Sequence, residues 1–201
     1  MDSTPRFNSL SGLSGSLLVA HPSLQDPNFE KTVILLPVHS DDSGALGVIL
    51  NRPTGQTLGE MYPEQHFEKL AHIQIFEGGP VDHSQLILTA WKWDQEENSH
   101  KMFFGITSEH ALNLIEGDDP VTVRAYLGYA GWSAGQLEAE LQAQSWITKP
   151  IATEVLDQDG NPALWNQLTD DSLAQNEVDL SSEASDDDEL LPRPPEDLDF
   201  N

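Results

Sequence analysis

The sequence contains no cysteine. That removes disulfide staples, thiolate nucleophiles and cysteine-based zinc sites together, and leaves the compartment undecided. Basic residues are scarce too: nine Lys and Arg stand against 34 Asp and Glu, for a formal charge of −25. A nucleic-acid surface works by setting Lys and Arg against phosphates. This balance therefore argues against direct nucleic-acid binding and against anionic membranes. Long apolar runs are missing as well. The longest, Val33 to Val38, is interrupted by Pro37. The expectation is a cytoplasmic chain with neither a signal peptide nor a membrane span.

The charge and the apolar residues are unevenly spread. From Asp170 to Asn201 twelve acids accompany one Arg, a net of −11. Such a segment cannot bury enough apolar surface to offset its ordering entropy, and it reads as a disordered acidic tail over 170–201. Residues 1–14 read as a flexible lead-in. Residues 15–169 read as one domain, long enough to bury a core. Residues 1–169 still carry 22 acids against eight bases, so the folded part is acidic too.

Within the domain, short apolar runs bounded by turn residues predict strands at Leu17–Ala20, Thr32–Leu36, Ala45–Leu50, Ile73–Phe76, Gln85–Trp91, Met102–Thr107 and Val121–Tyr126. The turn His39 to Gly44 predicts an antiparallel hairpin, and Asp94 to Lys101 predicts an exposed hairpin tip. Ser108 is the expected N-cap of a helix over Glu109–Glu116, stopped by Gly117. A second helix is expected to run to about Gln144, with Leu137, Leu141 and Trp146 on its buried edge. Thr57 to Leu70 has helical spacing that Pro63 should break. Ile151–Leu156 and Ala163–Leu168 read as weaker elements. Early hairpins without regular βαβ alternation define an α+β fold.

The stretch Gly131-Trp132-Ser133-Ala134-Gly135 fits G-x-S-x-G, the nucleophile-elbow pattern of serine hydrolases. In the α/β-hydrolase order a histidine follows the serine, but the last histidine here is His110. Ser133 with Gln136 also forms S-x-x-Q, a capping box in which the serine oxygen accepts from the first helical turn and the glutamine reaches back. The cap is the preferred reading. Seven histidines invite a metal, but none forms an H-x-x-x-H pair. Asp157-x-Asp159-Gly160 lacks the later ligands of a calcium loop. No metal and no cofactor is expected.

Three turns end predicted strands with polar groups on a fixed backbone: His21-Pro22, Asn51-Arg52-Pro53 and Gly78-Gly79-Pro80. If these ends converge they line a cleft in which Arg52, whose fork suits a carboxylate or phosphate, binds an anion. The alternative is three structural turns with Arg52 in an internal salt bridge.

Gly15–Pro27 (GSLLVAHPSLQDP), Gly44–Pro53 (GALGVILNRP), Glu77–Val81 (EGGPV) and Leu127–Glu138 (LGYAGWSAGQLE) resemble, in order, the motifs of the AlgH-like (YqgE/AlgH) family. The resemblance covers about residues 10–168, and Trp146 and Trp165 suit it. It implies an α+β fold with a bifurcated mixed sheet curled into a pseudo-barrel and a few flanking helices. It implies no established enzyme activity; the transcriptional-regulator label these bacterial proteins carry is a name more than a mechanism. The family pattern often has glycine where Ser133 stands. It also tends to an aromatic-rich strand ending in histidine where this chain has Gln85–Trp91. Its signature positions add Gly128, Gly131 and Trp132 to the candidate cleft formed by His21, Asn51, Arg52, Gly78, Gly79 and Pro80. The expected function is non-enzymatic and indirect regulation through a protein or small anionic ligand. The rivals are a small hydrolase or transferase using Ser133 or Arg52, and an adaptor whose acidic tail engages a basic partner.

Overall fold

The computed structural model describes residues 12–63, 67, 69–156, 158 and 160–170. The acidic segment past Asp170, most of the lead-in, His66, Asp157 and Asp159 lie outside the described residues. In chain order the elements are β1 (Ser16–Ala20), β2 (Val33–Ser40), β3 (Gly44–Ile49), β4 (Pro53–Thr57), α1 (Leu58–Met61), β5 (Gln74–Glu77), β6 (Val81–Asp94), β7 (Ser99–Ile106), α2 (Ser108–Ile115), β8 (Thr122–Trp132), α3 (Gln136–Gln142), β9 (Trp146–Pro150) and α4 (Thr153–Leu156). A helical segment follows at 164–170. Among the described residues no helix is long and apolar enough to cross a membrane.

The sheet divides at β8. The first part of this strand lies between β5, which runs parallel to it, and β6, which runs antiparallel. Its last residues, Ala130 to Trp132, pair instead with β3. One branch continues through β3, β2, β1 and β9; the other carries β5 and β4 on one side and β6 and β7 on the other. The sheet is therefore mixed and bifurcated, as the resemblance implies. It curls without closing: β4, β7 and β9 are free ends.

Leu17–Ala20 of β1, Val33–Leu36 of β2 and Val48–Ile49 of β3 are buried on both faces, which explains their continuous apolar runs. Leu17, Val19, Val33 and Leu35 face a central core that also takes in Phe76, Ile87 and Tyr126 from the second branch, together with Val155 and Leu164. Leu18, Ala20, Ile34 and Leu36 face the other way, under Leu137 of α3 and beside Trp132 and Trp146. The outer face of the second branch buries Leu88, Val123 and Ala125 against α2 and the segment around Leu58 to Ile75. Pro37 sits where the β2–β3 register shifts, between Leu35 and Val38. An irregularity is where a strand accommodates a residue without an N–H.

Several expectations need correction. α3 stops at Gln142 and Trp146 opens β9 instead of marking a helix edge. Gln144 takes a left-handed φ of 56°, reversing the chain where glycine commonly does so. β4 and β9 went unpredicted because each carries a proline, Pro53 and Pro150, which outermost strands tolerate. β8 runs on through Gly128 and Gly131 to Trp132 instead of ending at Tyr126. The N-cap of α2 is Thr107, whose hydroxyl accepts from the His110 amide; Ser108 is the first helical residue. The β2–β3 hairpin, the β6–β7 hairpin and the break before Pro63 stand as expected, with α1 held by a Thr57–Glu60 capping box.

Candidate functional site

Three of the sequence-singled motifs meet at the backbone level where β8 changes partners. The Gly78 amide donates to the Leu127 carbonyl at 2.7 Å, and the Ile49 amide donates to the Gly78 carbonyl at 2.9 Å. The Glu77 amide donates to the Arg52 carbonyl at 2.9 Å. Glycine is required because the chains touch without side chains between them. A Cβ on Gly128, at φ +69°, would stand 2.6 Å from the Gly79 carbonyl oxygen and 2.7 Å from that of Val81. A Cβ on Gly79 would overlap the Tyr129 carbonyl, and one on Gly78 would overlap that of Gly128. Asn51, Arg52, Gly78, Gly79 and Gly128 thus form one junction. Pro80 leads out of it into Val81, 38% exposed, and Asp82 to Gln85, all exposed. Asp82 holds φ 47°, an uncommon backbone state for a non-glycine residue.

The polar side chains of the junction are largely committed. Asn51 is buried; its Oδ1 accepts from the Val33 amide and its Nδ2 donates to the Lys31 carbonyl, both at 2.9 Å. Arg52 Nη1 donates to the Asn28 carbonyl at 2.8 Å and Nη2 to that of Glu30 at 3.2 Å. Glu77 Oε1 stands 4.0 Å from the Arg52 guanidinium. Together Asn51 and Arg52 hold the loop between β1 and β2. His21 begins that loop from the far end, its Nδ1 engaged by the Ser23 hydroxyl at 2.7 Å and by the Ser23 amide at 3.2 Å.

Trp132 and Gly131 part company at the end of β8. Gly131 is exposed, whereas Trp132 is buried beneath α3, stacked on Phe29 at 6.2 Å and edge-on to Trp146 at 6.0 Å. Glu140 Oε2 accepts from both indoles, at 2.9 Å from Trp132 Nε1 and 2.8 Å from Trp146 Nε1. This aromatic group shares the β1–β2 loop with the junction through Phe29, yet it belongs to the opposite core.

Ser133 does not cap α3 as expected. The N-cap is Gly135 in a left-handed conformation, with no side-chain cap bond. Half of the capping box survives: Gln136 Oε1 accepts from the Ser133 amide and from the Ser133 hydroxyl, each at 3.1 Å. The nearby histidine is equally occupied. His39, its side chain 4% exposed, places Nε2 at 2.6 Å from Glu138 Oε1, while Nδ1 accepts from the Leu13 amide at 3.2 Å. With Nδ1 as an acceptor, Nε2 carries the proton. Neither nitrogen of His39 is left to take a proton from Ser133.

Fold proximity, invisible in the sequence, brings His39, Asp41 and Glu138 close enough to offer ligand atoms within 4.8 Å of one another. The donor set does not suit a metal. A metal on Nε2 needs the proton on Nδ1, directed at an acceptor, and Nδ1 here faces an N–H. Its own backbone amide, and then His39, hold the Glu138 carboxyl below the usual range. A further buried polar group centres on Arg124 of β8, 3% exposed. The alternation of Val121 to Tyr126 located its strand but not its burial, since that depends on both neighbouring strands being covered.

This is an α+β domain with a forked mixed sheet, a glycine junction at the fork, and a G-x-S-x-G serine whose hydroxyl is engaged by Gln136. The AlgH-like family model matches residues 17–175. The chain belongs to the AlgH-like family. It is 38% identical over 152 residues to a UPF0301 protein of Xanthomonas campestris pv. campestris, covering 72% of this chain and 80% of that one. It is 37% identical over 157 residues to one from Vibrio cholerae, covering 72% and 83%. The solution structure of the AlgH protein from Pseudomonas aeruginosa matches with a TM-score of 0.60 at 27% identity, covering 91% of this chain and 98% of that one. A crystal structure of a Corynebacterium diphtheriae protein shares the fold, with a TM-score of 0.60 at 21% identity, covering 81% and 88%.

Proposed function

We propose that this protein is a non-enzymatic, cytoplasmic regulator that acts indirectly, through a protein or small anionic ligand bound at the glycine junction, with residues 15–169 as the working domain. The observation that carries the reading is the convergence of Asn51-Arg52, Gly78-Gly79 and Gly128 on one point, followed by exposed Val81 and the strained Asp82. A family signature spent on bringing backbones together beside a strained, exposed turn supports a recognition surface. A charge of −25 supports a route to regulation that does not pass through DNA. Gel-shift titration of the full chain with duplex DNA at physiological salt tests the indirect route; a sequence-specific shift overturns it. Mapping amide shifts on adding candidate ligands should move Val81 to Gln85 first, and a Val81→Ser, Asp82→Gly variant should lose the response. The alternative, a small hydrolase or transferase, rests on Ser133 or on an anion cleft lined by Arg52. Turnover of acyl or phosphoryl esters that is lost in folded Ser133→Ala or Arg52→Ala would establish it.

A further inference from the structure

The side of β6 and β8 turned toward the central core holds four buried polar atoms without a hydrogen-bond partner. They are Thr89 Oγ1, Trp91 Nε1, Arg124 Nη1 and Tyr126 Oη. Register groups them. Thr89 lies opposite Arg124 and Ile87 opposite Tyr126, so residues two apart on each strand, Trp91 and Tyr126 included, share the face. All four residues are at most 3% exposed.

Arg124 is held from one side only. Its guanidinium carbon lies 5.0 Å from the ring centroids of both Phe76 and Trp91. Nη2 donates to the Leu156 carbonyl at 3.1 Å and also to that of Gln158. Nη1 is left over, and among the described residues no carboxylate forms an ion pair with this guanidinium. Burial pushes the Tyr126 phenol above its ordinary range; the Arg124 charge, and polar contact of Arg124 and Thr89 with the phenol oxygen, pull it back only in part, so the four groups lie within reach of one another. The phenol therefore keeps its proton at neutral pH and remains a donor.

An inventory shows what is missing. Nη1 offers two hydrogens, and Trp91, Tyr126 and Thr89 offer one each, whereas the only acceptors in the group are the two hydroxyl oxygens. Five hydrogens meet at most four lone pairs, so at least one donor is left over, and among the described residues no carboxylate balances the buried cation, an expensive arrangement. Water could accept some of these bonds but would not neutralise the charge. The geometry points to a buried site for a small oxyanion, carboxylate or phosphate, gripped by Arg124 Nη1 with Trp91, Tyr126 and Thr89 completing the donors. This site does not depend on the junction, and either can fail alone. Because the same guanidinium ties down the carbonyls of residues 156 and 158, an occupied site also steadies the chain after α4.

The test uses the full chain labelled with ¹⁵N and follows the five tryptophan indole N–H signals, with Trp91 assigned by Trp91→Phe. Inorganic phosphate and acetate are titrated separately at constant ionic strength. The Trp91 signal should move saturably with one or both, and the arm that binds tighter identifies the oxyanion class. Arg124→Lys should weaken binding by about tenfold or more, as expected for loss of a charge-assisted bond. Should that variant not fold, the near-isosteric Tyr126→Phe and Thr89→Val each remove one donor and should each weaken binding severalfold. The proposal is overturned if neither anion gives a saturable shift, if sodium chloride alone reproduces it, or if both isosteric variants bind as wild type does. It also fails if binding emerges only in an Asp157→Asn, Asp159→Asn double variant, because a carboxylate of the chain would then already be the counter-ion.

Discussion

Asn51→Ala distinguishes an asparagine that holds the fold from one reserved for a ligand. Its side chain is 4% exposed and bridges the Val33 amide and the Lys31 carbonyl at 2.9 Å each. Val33 is fully buried, so its amide would be left without an acceptor, at a cost of about 1–3 kcal/mol. Lys31 is exposed, and water can replace the lost donor at its carbonyl, so that side adds at most about 1 kcal/mol. Lys31 also holds a left-handed φ of 56°, and its release returns up to about 1 kcal/mol. The net is a loss of about 2 kcal/mol, or about 4–8 °C in Tm for a domain of this size. Urea denaturation followed by far-UV circular dichroism measures it. Asn51→Asp sharpens the test: it keeps an acceptor for Val33 but sets a second oxygen, and a charge, against the Lys31 carbonyl. At neutral pH it should be no more stable than Asn51→Ala, and it should recover as the pH falls and the buried carboxyl gains a proton. A loss below about 0.5 kcal/mol for the alanine variant, the ordinary scale of surface changes, would refute the bridge.

Three further outcomes follow from the same geometry. Gly79→Ala should lose about 3 kcal/mol or more, because its Cβ would overlap the β8 backbone at φ +153°, whereas Gly131→Ala meets only the Tyr129 ring at 3.3 Å and should stay within about 1 kcal/mol by the same denaturation assay. Glu140→Gln can keep one oxygen for both indoles but loses the charge and sets an NH2 group against the Gln136 amide that donates to Oε1; it should cost about 1–2 kcal/mol and speed hydrogen exchange at Trp132 and Trp146 Nε1, and unchanged stability and exchange would contradict the charge-assisted acceptor. Asp94 is held at about 2, below its ordinary 3.8, first by Lys101 and then by the Glu97 amide. Its depressed pKa makes its contribution present above the ordinary value and lost as pH falls toward 2, so NMR titration should find an acid-shifted midpoint and Asp94→Asn should flatten that limb of the stability profile.

Where burial on both faces or alternation marked a strand, the sequence was readable: Leu17–Ala20 and Ala45–Leu50 lie within a residue of β1 and β3, and Thr32–Leu36 finds the start of β2, which runs on past Pro37 to Ser40. It misled where a residue's local meaning depends on a distant chain. Gly128 reads as a turn glycine until the carbonyls of Gly79 and Val81, some fifty residues earlier, are seen against it. Pro53 and Pro150 read as strand breakers until their strands prove to be outermost. The meeting of Asn51-Arg52 with Gly78-Gly79 was legible as a condition, since each ended a predicted strand, whereas His21 stays at the far end of its loop. The commitment of Arg52 to the carbonyls of Asn28 and Glu30 was not, because backbone acceptors leave no mark on residue type. Arg124 was missed for a similar reason: one arginine in an alternating strand normally faces water, and only the strands on both sides and the chain after α4 bury it.

In G-x-S-x-G the glycines serve to expose a strained nucleophile at a sharp strand-to-helix turn. Here the two glycines answer to different demands. Gly131 ends a strand that has just changed partners, and Gly135 supplies the left-handed residue, φ 76°, that starts α3 two positions beyond the serine. The serine between them gives its proton to Gln136 Oε1, and His39 spends its own on Glu138 while its other nitrogen accepts from Leu13. Both side chains are thus tied into the start of α3, Ser133 through Gln136 and His39 through Glu138. The forked sheet alone accounts for the spacing of the motif, since a strand that serves two branches must admit foreign backbone at its middle and turn sharply at its end.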